Sequence, residues 1–186
     1  MNLFAKFQTG LPYADFLARY ANDGQKQRWW QVHEQVTLTA AQRELLGSFR
    51  RTLNVLCLAG AWCGDCINQC PIYEHFAAAA PVIKVRYLDR DEHADVQRLL
   101  QINGGNRVPV LVFFSEDGFE VARRGERTLS KYRQMMRDQV GASCPTGVSL
   151  PGDPLLVQVT QDWLNEFERV QWLLRLSPRL RQMHGD

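Results

Sequence analysis

Cys63 and Cys66 stand two residues apart in Trp62-Cys63-Gly64-Asp65-Cys66, directly after an apolar run at 55–60. The dithiol therefore falls where a strand gives way to a helix. A thiol at a helix N-terminus meets unpaired N–H groups and the positive end of the helix dipole, which favour thiolate over thiol. Such a thiolate attacks a disulfide in a partner. A second thiol one helical turn on then resolves the mixed disulfide. Asp65 sits beside the pair, and a carboxylate there disfavours the thiolate by like-charge repulsion. A less stabilised reduced form means a more reducing couple, so the spacing predicts a reductase rather than an oxidase.

Metal binding is the rival chemistry, since Cys63, Cys66 and Cys70 with His75 could be counted as ligands. On one helix the three thiols climb about 10 Å at ~1.5 Å per residue, too spread for one tetrahedral ion. No second CxxC occurs, so no metal site is expected. His33, His75, His93 and His184 show no spacing to Ser or Cys that would make a hydrolytic dyad, and no glycine-rich phosphate loop is present. Cys70 reads as a buried inert thiol, with a regulatory or alternative resolving role as the other possibility, and Cys144 as incidental.

The elements that must position the dithiol can be read from periodicity and breakers. Residues 1–50 read as helical: Leu11-Pro12-Tyr13 opens one amphipathic segment, and Thr39 caps another running over 40–51. Strands are predicted at 53–59, 82–88, 110–114 and 119–124, and helices at 65–80, 93–101 and 129–140. Glu116-Asp117-Gly118 is a hairpin signal. A loop rich in Pro and Gly leads to a last helix over 155–176, stopped by Ser177-Pro178. Its apolar stripe, Leu156, Val159, Trp163, Phe167, Val170 and Leu174, is expected to pack within the chain. Trp29-Trp30 are expected to anchor the N-terminal helices to the body. The organisation is thus an N-terminal helical extension (1–52), an α/β domain (53–141), and a loop with an amphipathic helix (142–186).

Composition narrows the class. The chain has 186 residues, enough for one well-buried domain with appended elements. Lys+Arg 22 against Asp+Glu 20 gives no global push toward nucleic acid or membrane. No stretch approaches the roughly 20 apolar residues of a transmembrane helix, and the start does not read as a signal peptide. Five clustered cysteines do not look like a secreted disulfide framework, so a reducing, cytoplasmic setting is expected.

The order of elements over 53–141 resembles the thioredoxin fold: a central mixed β-sheet flanked by helices, here with extra N- and C-terminal helices. Specific residues carry the resemblance. Trp62-Cys63-Gly64-Asp65-Cys66 matches the family's Trp-Cys-Gly-x-Cys site, and Pro71 the proline inside its first active-site helix. Val108-Pro109 lies where the family places its cis-proline, and Gly125 where a glycine ends the last strand. The flanking helices and Arg90-Asp91 look like bacterial thioredoxin-like proteins with a helical N-terminal extension. The resemblance implies that Cys63 is the nucleophile and Cys66 the resolving thiol. It further implies that Trp62, Gly64, Asp65, Val108 and Pro109 form the substrate surface, with a cis Val108–Pro109 bond. No cofactor beyond the Cys63–Cys66 disulfide is implied. Partners would be disulfide-containing proteins or small-thiol substrates, and an electron donor such as a thioredoxin reductase or glutathione. Two departures stand out. Cys57 occupies the place of the family's buried aspartate, which accepts the resolving thiol's proton, and Val85 falls near its usual lysine partner. The alternative expectation is accordingly a redox-sensing or client-binding module without efficient turnover.

Overall fold

The structure, a computed structural model, describes residues 1–140 and 154–186. Four strands, β1 (Leu53–Ala59), β2 (Ile83–Asp89), β3 (Val110–Phe114) and β4 (Glu120–Gly125), make one mixed sheet in the order β2-β1-β3-β4. β1 pairs parallel with β2 and antiparallel with β3, placing Cys57 between Tyr87 and Leu111. Every residue of β1 and β3 is buried, as their near-continuous apolar sequences demand of central strands. Pro109 stands just outside β3, where its missing N–H costs no ladder bond. The hairpin before β4 turns at Gly118 with φ 84°, and Ser115 Oγ accepts the Phe119 N–H at 3.0 Å.

Strand alternation sorts the core into two faces. Toward one face point Cys57, Tyr87 and Phe113, covered by α5 (Gly64–Ala79) and α8 (Leu155–Leu176). The Phe167 ring of α8 meets Phe76 and Phe113, both at 5.2 Å between centroids. Residues of the predicted stripe from Val159 to Leu174 are buried within the chain, with Leu156 partly buried beside them. Toward the other face Phe114 packs on Phe4 and Phe7 of α1 (Leu3–Thr9). The remaining domain helices are α6 (Ala94–Leu99) and α7 (Leu129–Val140). The segment over 93–101 is shorter than its periodicity predicts, because His93 and Leu100 are its caps and Ile102 turns into a bridge with Gly105.

Between Leu3 and Gly47 the chain forms four helices where two segments were expected: α1, α2 (Tyr13–Tyr20), α3 (Asp23–Gln35) and α4 (Ala40–Gly47). Asn22 with Gln25, and Thr39 with Gln42, form reciprocal capping boxes that start α3 and α4. The α4 helix ends four residues earlier than the expected 40–51, because the chain must turn inward to enter β1. Phe49 drops into the core, and Gln171 of α8 accepts the Arg51 N–H at 2.8 Å and donates to the Arg51 carbonyl at 3.0 Å. Leu11 exchanges two backbone bonds with Tyr87 at the β2 edge. Trp29 is fully buried, and its indole N–H donates to the Ala61 carbonyl at 2.8 Å, two residues before Cys63. Trp30 is exposed instead, stacked on His33. Ser177 both ends α8 and caps α9 (Pro178–His184), so Ser177-Pro178 stops one helix and starts another.

Candidate active site

Cys63 is the N-cap residue of α5, and no side chain caps that helix end. The N–H groups of Asp65 and Cys66 are left to reach the Cys63 sulfur, and both favour its thiolate. The strand-to-helix turn is set by Gly60, where any Cβ would strike the Trp62 ring at 2.8 Å. Cys63 is half-buried, and its thiol donates to the Val108 carbonyl at 3.5 Å. The Val108–Pro109 peptide bond is cis. Cys66 is fully buried behind Cys63 and accepts the Gly60 N–H at 3.5 Å. The two thiols titrate as one unit. Cys63 is pushed up, first by its hydrogen bond to Cys66 and then by burial. Burial opposes ionisation of the pair, while the Gly60 N–H and the proximity of the neighbouring thiols favour a single thiolate shared between Cys63 and Cys66. The first proton therefore leaves the pair more readily than the second.

Trp62 is 44% exposed and forms the wall of the site. Its indole N–H donates to Asp91 at 3.2 Å, and the Arg90 guanidinium lies over the ring, 4.3 Å from its centroid. Arg90 also forks onto Asp91 at 2.8 and 2.9 Å, so the Arg90-Asp91 pair orients the tryptophan. Gly64 is open, with nothing within 4 Å of where a Cβ would stand. Opposite lies a charged rim that local spacing does not announce. Arg127 pairs with Asp65 at 2.7 Å and with Glu126 at 3.2 Å, while Arg107 approaches Glu126 at 3.7 Å. Asp65 thus shares its charge with Arg127, which lessens the repulsion of a thiolate expected from the bare carboxylate. Gln69 ties the site to α8: its amide donates to the Glu126 carbonyl at 2.7 Å and accepts the Trp163 indole N–H at 2.9 Å. Gly125 is required by close approach, since a Cβ there would lie 2.6 Å from the Pro109 carbonyl oxygen.

The structure brings Trp62, Cys63, Gly64, Asp65, Cys66, Val108 and Pro109 to one end of the sheet. Arg127 joins them from 62 residues away in sequence, with only its charge as a signal. Cys144 lies outside the described residues. Among the described residues no group of three or more His, Cys, Asp or Glu is placed to hold a metal ion.

A dithiol at a helix N-terminus, facing a cis X–Pro bond across the end of a mixed sheet, defines a thioredoxin-type α/β protein. The thioredoxin family model matches residues 10–139, and the chain belongs to that family, with a redox-related function of thioredoxin type. Among solved structures, a protein of unknown function from Pseudomonas aeruginosa, PA1234, aligns with a TM-score of 0.67 at 17% identity, over 88% of this chain and 95% of that one. An HIV epitope scaffold aligns with a TM-score of 0.63 at 16% identity, over 87% of this chain and 95% of its own. Both likenesses concern the fold, and they extend beyond the thioredoxin core into the terminal helices. No curated protein matches the sequence significantly. No helix of the described residues is long and apolar enough to cross a membrane.

Proposed function

We propose that this chain is a thiol–disulfide oxidoreductase that reduces protein or small disulfides in a reducing, cytoplasmic setting with the Cys63/Cys66 dithiol. The observation that carries the reading is the position of Cys63: an uncapped helix N-terminus on one side, the Val108 carbonyl on the other, and Cys66 one turn behind. The Cys63 thiolate attacks one sulfur of a partner disulfide; that bond breaks, and the partner's other sulfur leaves as a thiolate and takes up a proton. Cys66 then loses its proton and attacks the Cys63 sulfur, forming the Cys63–Cys66 disulfide and freeing the partner's second thiol. The partner gains two electrons and two protons. A donor such as a thioredoxin reductase or glutathione restores the dithiol. The backbone of Val108 supplies an N–H and a C=O against which an extended substrate segment pairs, and Trp62 with Gly64 and Asp65 forms the surface it crosses.

The test is insulin-disulfide reduction together with the Cys63–Cys66 reduction potential. Turnover, lost in Cys63→Ser and replaced by a trapped mixed disulfide in Cys66→Ser, supports the reading. A potential near or below about −250 mV supports reduction as its direction. A second reading is favoured by Cys57, which stands where the family carries a buried carboxylate: a redox-sensing or client-binding module that reacts once without efficient turnover. A reducible Cys63–Cys66 bond with no catalysis of insulin reduction would select it.

A further inference from the structure

Cys57 and Cys70 face each other across the boundary between sheet and helix, with their sulfurs 3.9 Å apart. Both are fully buried and free. Closing that contact to the ~2.05 Å of a disulfide requires roughly 1.9 Å of approach, within reach of side-chain rotation and small backbone shifts. The pair is also continuous with the surface dithiol. Cys70 follows Cys66 by four residues on α5, so the two lie on one helix face, and Cys66 stands one turn behind Cys63. Four sulfurs therefore run inward from the site in the order Cys63, Cys66, Cys70, Cys57, and of these Cys63 alone has appreciable exposure.

We infer that Cys57 and Cys70 form a second, internal redox dithiol that accepts the disulfide from Cys63–Cys66 and so gives the chain a capacity of four electrons instead of two. The inference rests on the dithiol reading of Cys63 and Cys66. In the first exchange Cys70 loses its proton and attacks the Cys66 sulfur. The Cys63–Cys66 bond breaks, a Cys66–Cys70 bond forms, and Cys63 leaves as a thiolate that takes the proton. In the second, Cys57 loses its proton and attacks the Cys70 sulfur, expelling Cys66, which is protonated in turn. The sum converts one disulfide and two thiols into two thiols and one disulfide, with no outside oxidant or reductant. The departing Cys66 thiolate is met by the Gly60 N–H, 3.5 Å from its sulfur. Burial holds Cys57 and Cys70 protonated, which slows the exchange and shields the inner pair from reagents in solvent. The dithiol at the surface is thereby regenerated once without a donor.

The experiment uses the full chain, reduced and freed of reductant, then treated with hydroxyethyl disulfide. After acid quenching, free and oxidised cysteines receive different mass tags. Occupancy is read residue by residue by fragmentation, because the four cysteines lie between Arg51 and Lys84 with no intervening tryptic site. The expected result with excess oxidant is protection of Cys57, Cys63, Cys66 and Cys70 as two disulfides, and the Cys57→Ala/Cys70→Ala double variant forms one. With one equivalent, Cys57 and Cys70 are protected in a fraction of chains whose Cys63 and Cys66 are free. In Cys63→Ser, oxidation of the inner pair slows at least about tenfold, since its entry point is gone. A wild-type chain that forms Cys63–Cys66 while Cys57 and Cys70 stay free under excess oxidant overturns the inference and leaves the dithiol reading intact. Inner oxidation as fast in Cys63→Ser as in wild type overturns the relay. Failure to form Cys63–Cys66 at all removes both.

Discussion

Glu74 lies one turn beyond Cys70 on α5, half-buried, with its carboxylate accepting the Tyr87 hydroxyl at 2.8 Å. Burial pushes its pKa up from 4.5 to about 7, against the pull of the Tyr87 hydrogen bond and of Arg86. The folded chain therefore binds this proton more tightly than the unfolded chain does. The stability it contributes is fully present below about pH 4.5 and is lost as the pH rises through about 7. The full shift corresponds to roughly 3 kcal/mol as a ceiling. A half-buried carboxyl keeps some water, so about 1–2 kcal/mol is the realistic size. Glu74→Gln copies the protonated form and retains an oxygen to accept the Tyr87 hydroxyl. Urea denaturation of wild type and variant should give equal midpoints near pH 4.5, and above pH 8 the variant should be more stable by about 1–2 kcal/mol. A stability difference that stays constant from pH 4.5 to 8.5 would refute the reasoning. So would a variant less stable than wild type at high pH.

Three further outcomes are expected. Arg127→Met leaves the Asp65 charge unpaired beside the dithiol, so the pH midpoint for alkylation of Cys63 should rise by about 0.5–1 unit; an unchanged midpoint would show that the Asp65–Arg127 pair does not act on the thiols. Trp29→Phe removes the donor to the Ala61 carbonyl and should cost about 1–3 kcal/mol in urea denaturation, with alkylation of Cys63 accelerated as its approach loop loosens. Gly125→Ala places a methyl against the Pro109 carbonyl oxygen and Val110 Cα, so stability should fall by about 1–3 kcal/mol and the mixed disulfide trapped in a Cys66→Ser background should form more slowly. A Gly125→Ala protein of normal stability and trapping rate would mean that β4 yields at no cost.

The strands and α8 are legible in the sequence because their patterns are strong: a near-continuous apolar run at 53–59 broken only at Asn54, and a stripe from Val159 to Leu174 at helical spacing. Cys63, Cys66 and Pro109 are legible because their chemistry is local or lies at a family spacing. The N-terminal helices do not separate into elements at that level. Within α3, Trp29 alone is buried, so there is no periodic stripe to read, and α1 spans only 7 residues. Pro178 reads as a stop, although the same residue starts α9 with Ser177 as cap. Arg127 escapes notice because the β3–β4 hairpin, not local spacing, carries it to Asp65 on α5. The contact between Cys57 and Cys70 depends on the packing of β1 against α5. Thirteen residues of separation say nothing of it.

The single bridge of Leu11 to Tyr87 has a consequence for how the molecule behaves in a crowd. A sheet with open borders offers rows of unpaired amides on which a stray strand, or another copy, can grow. Along β2 that growth is blocked partway along, where Leu11 fills both the donor and the acceptor of Tyr87. Along β4 the defence is charge: Glu120, Arg123 and Arg124 stud the outer border. One border is plugged and the other is electrically guarded, so the sheet resists templated polymerisation.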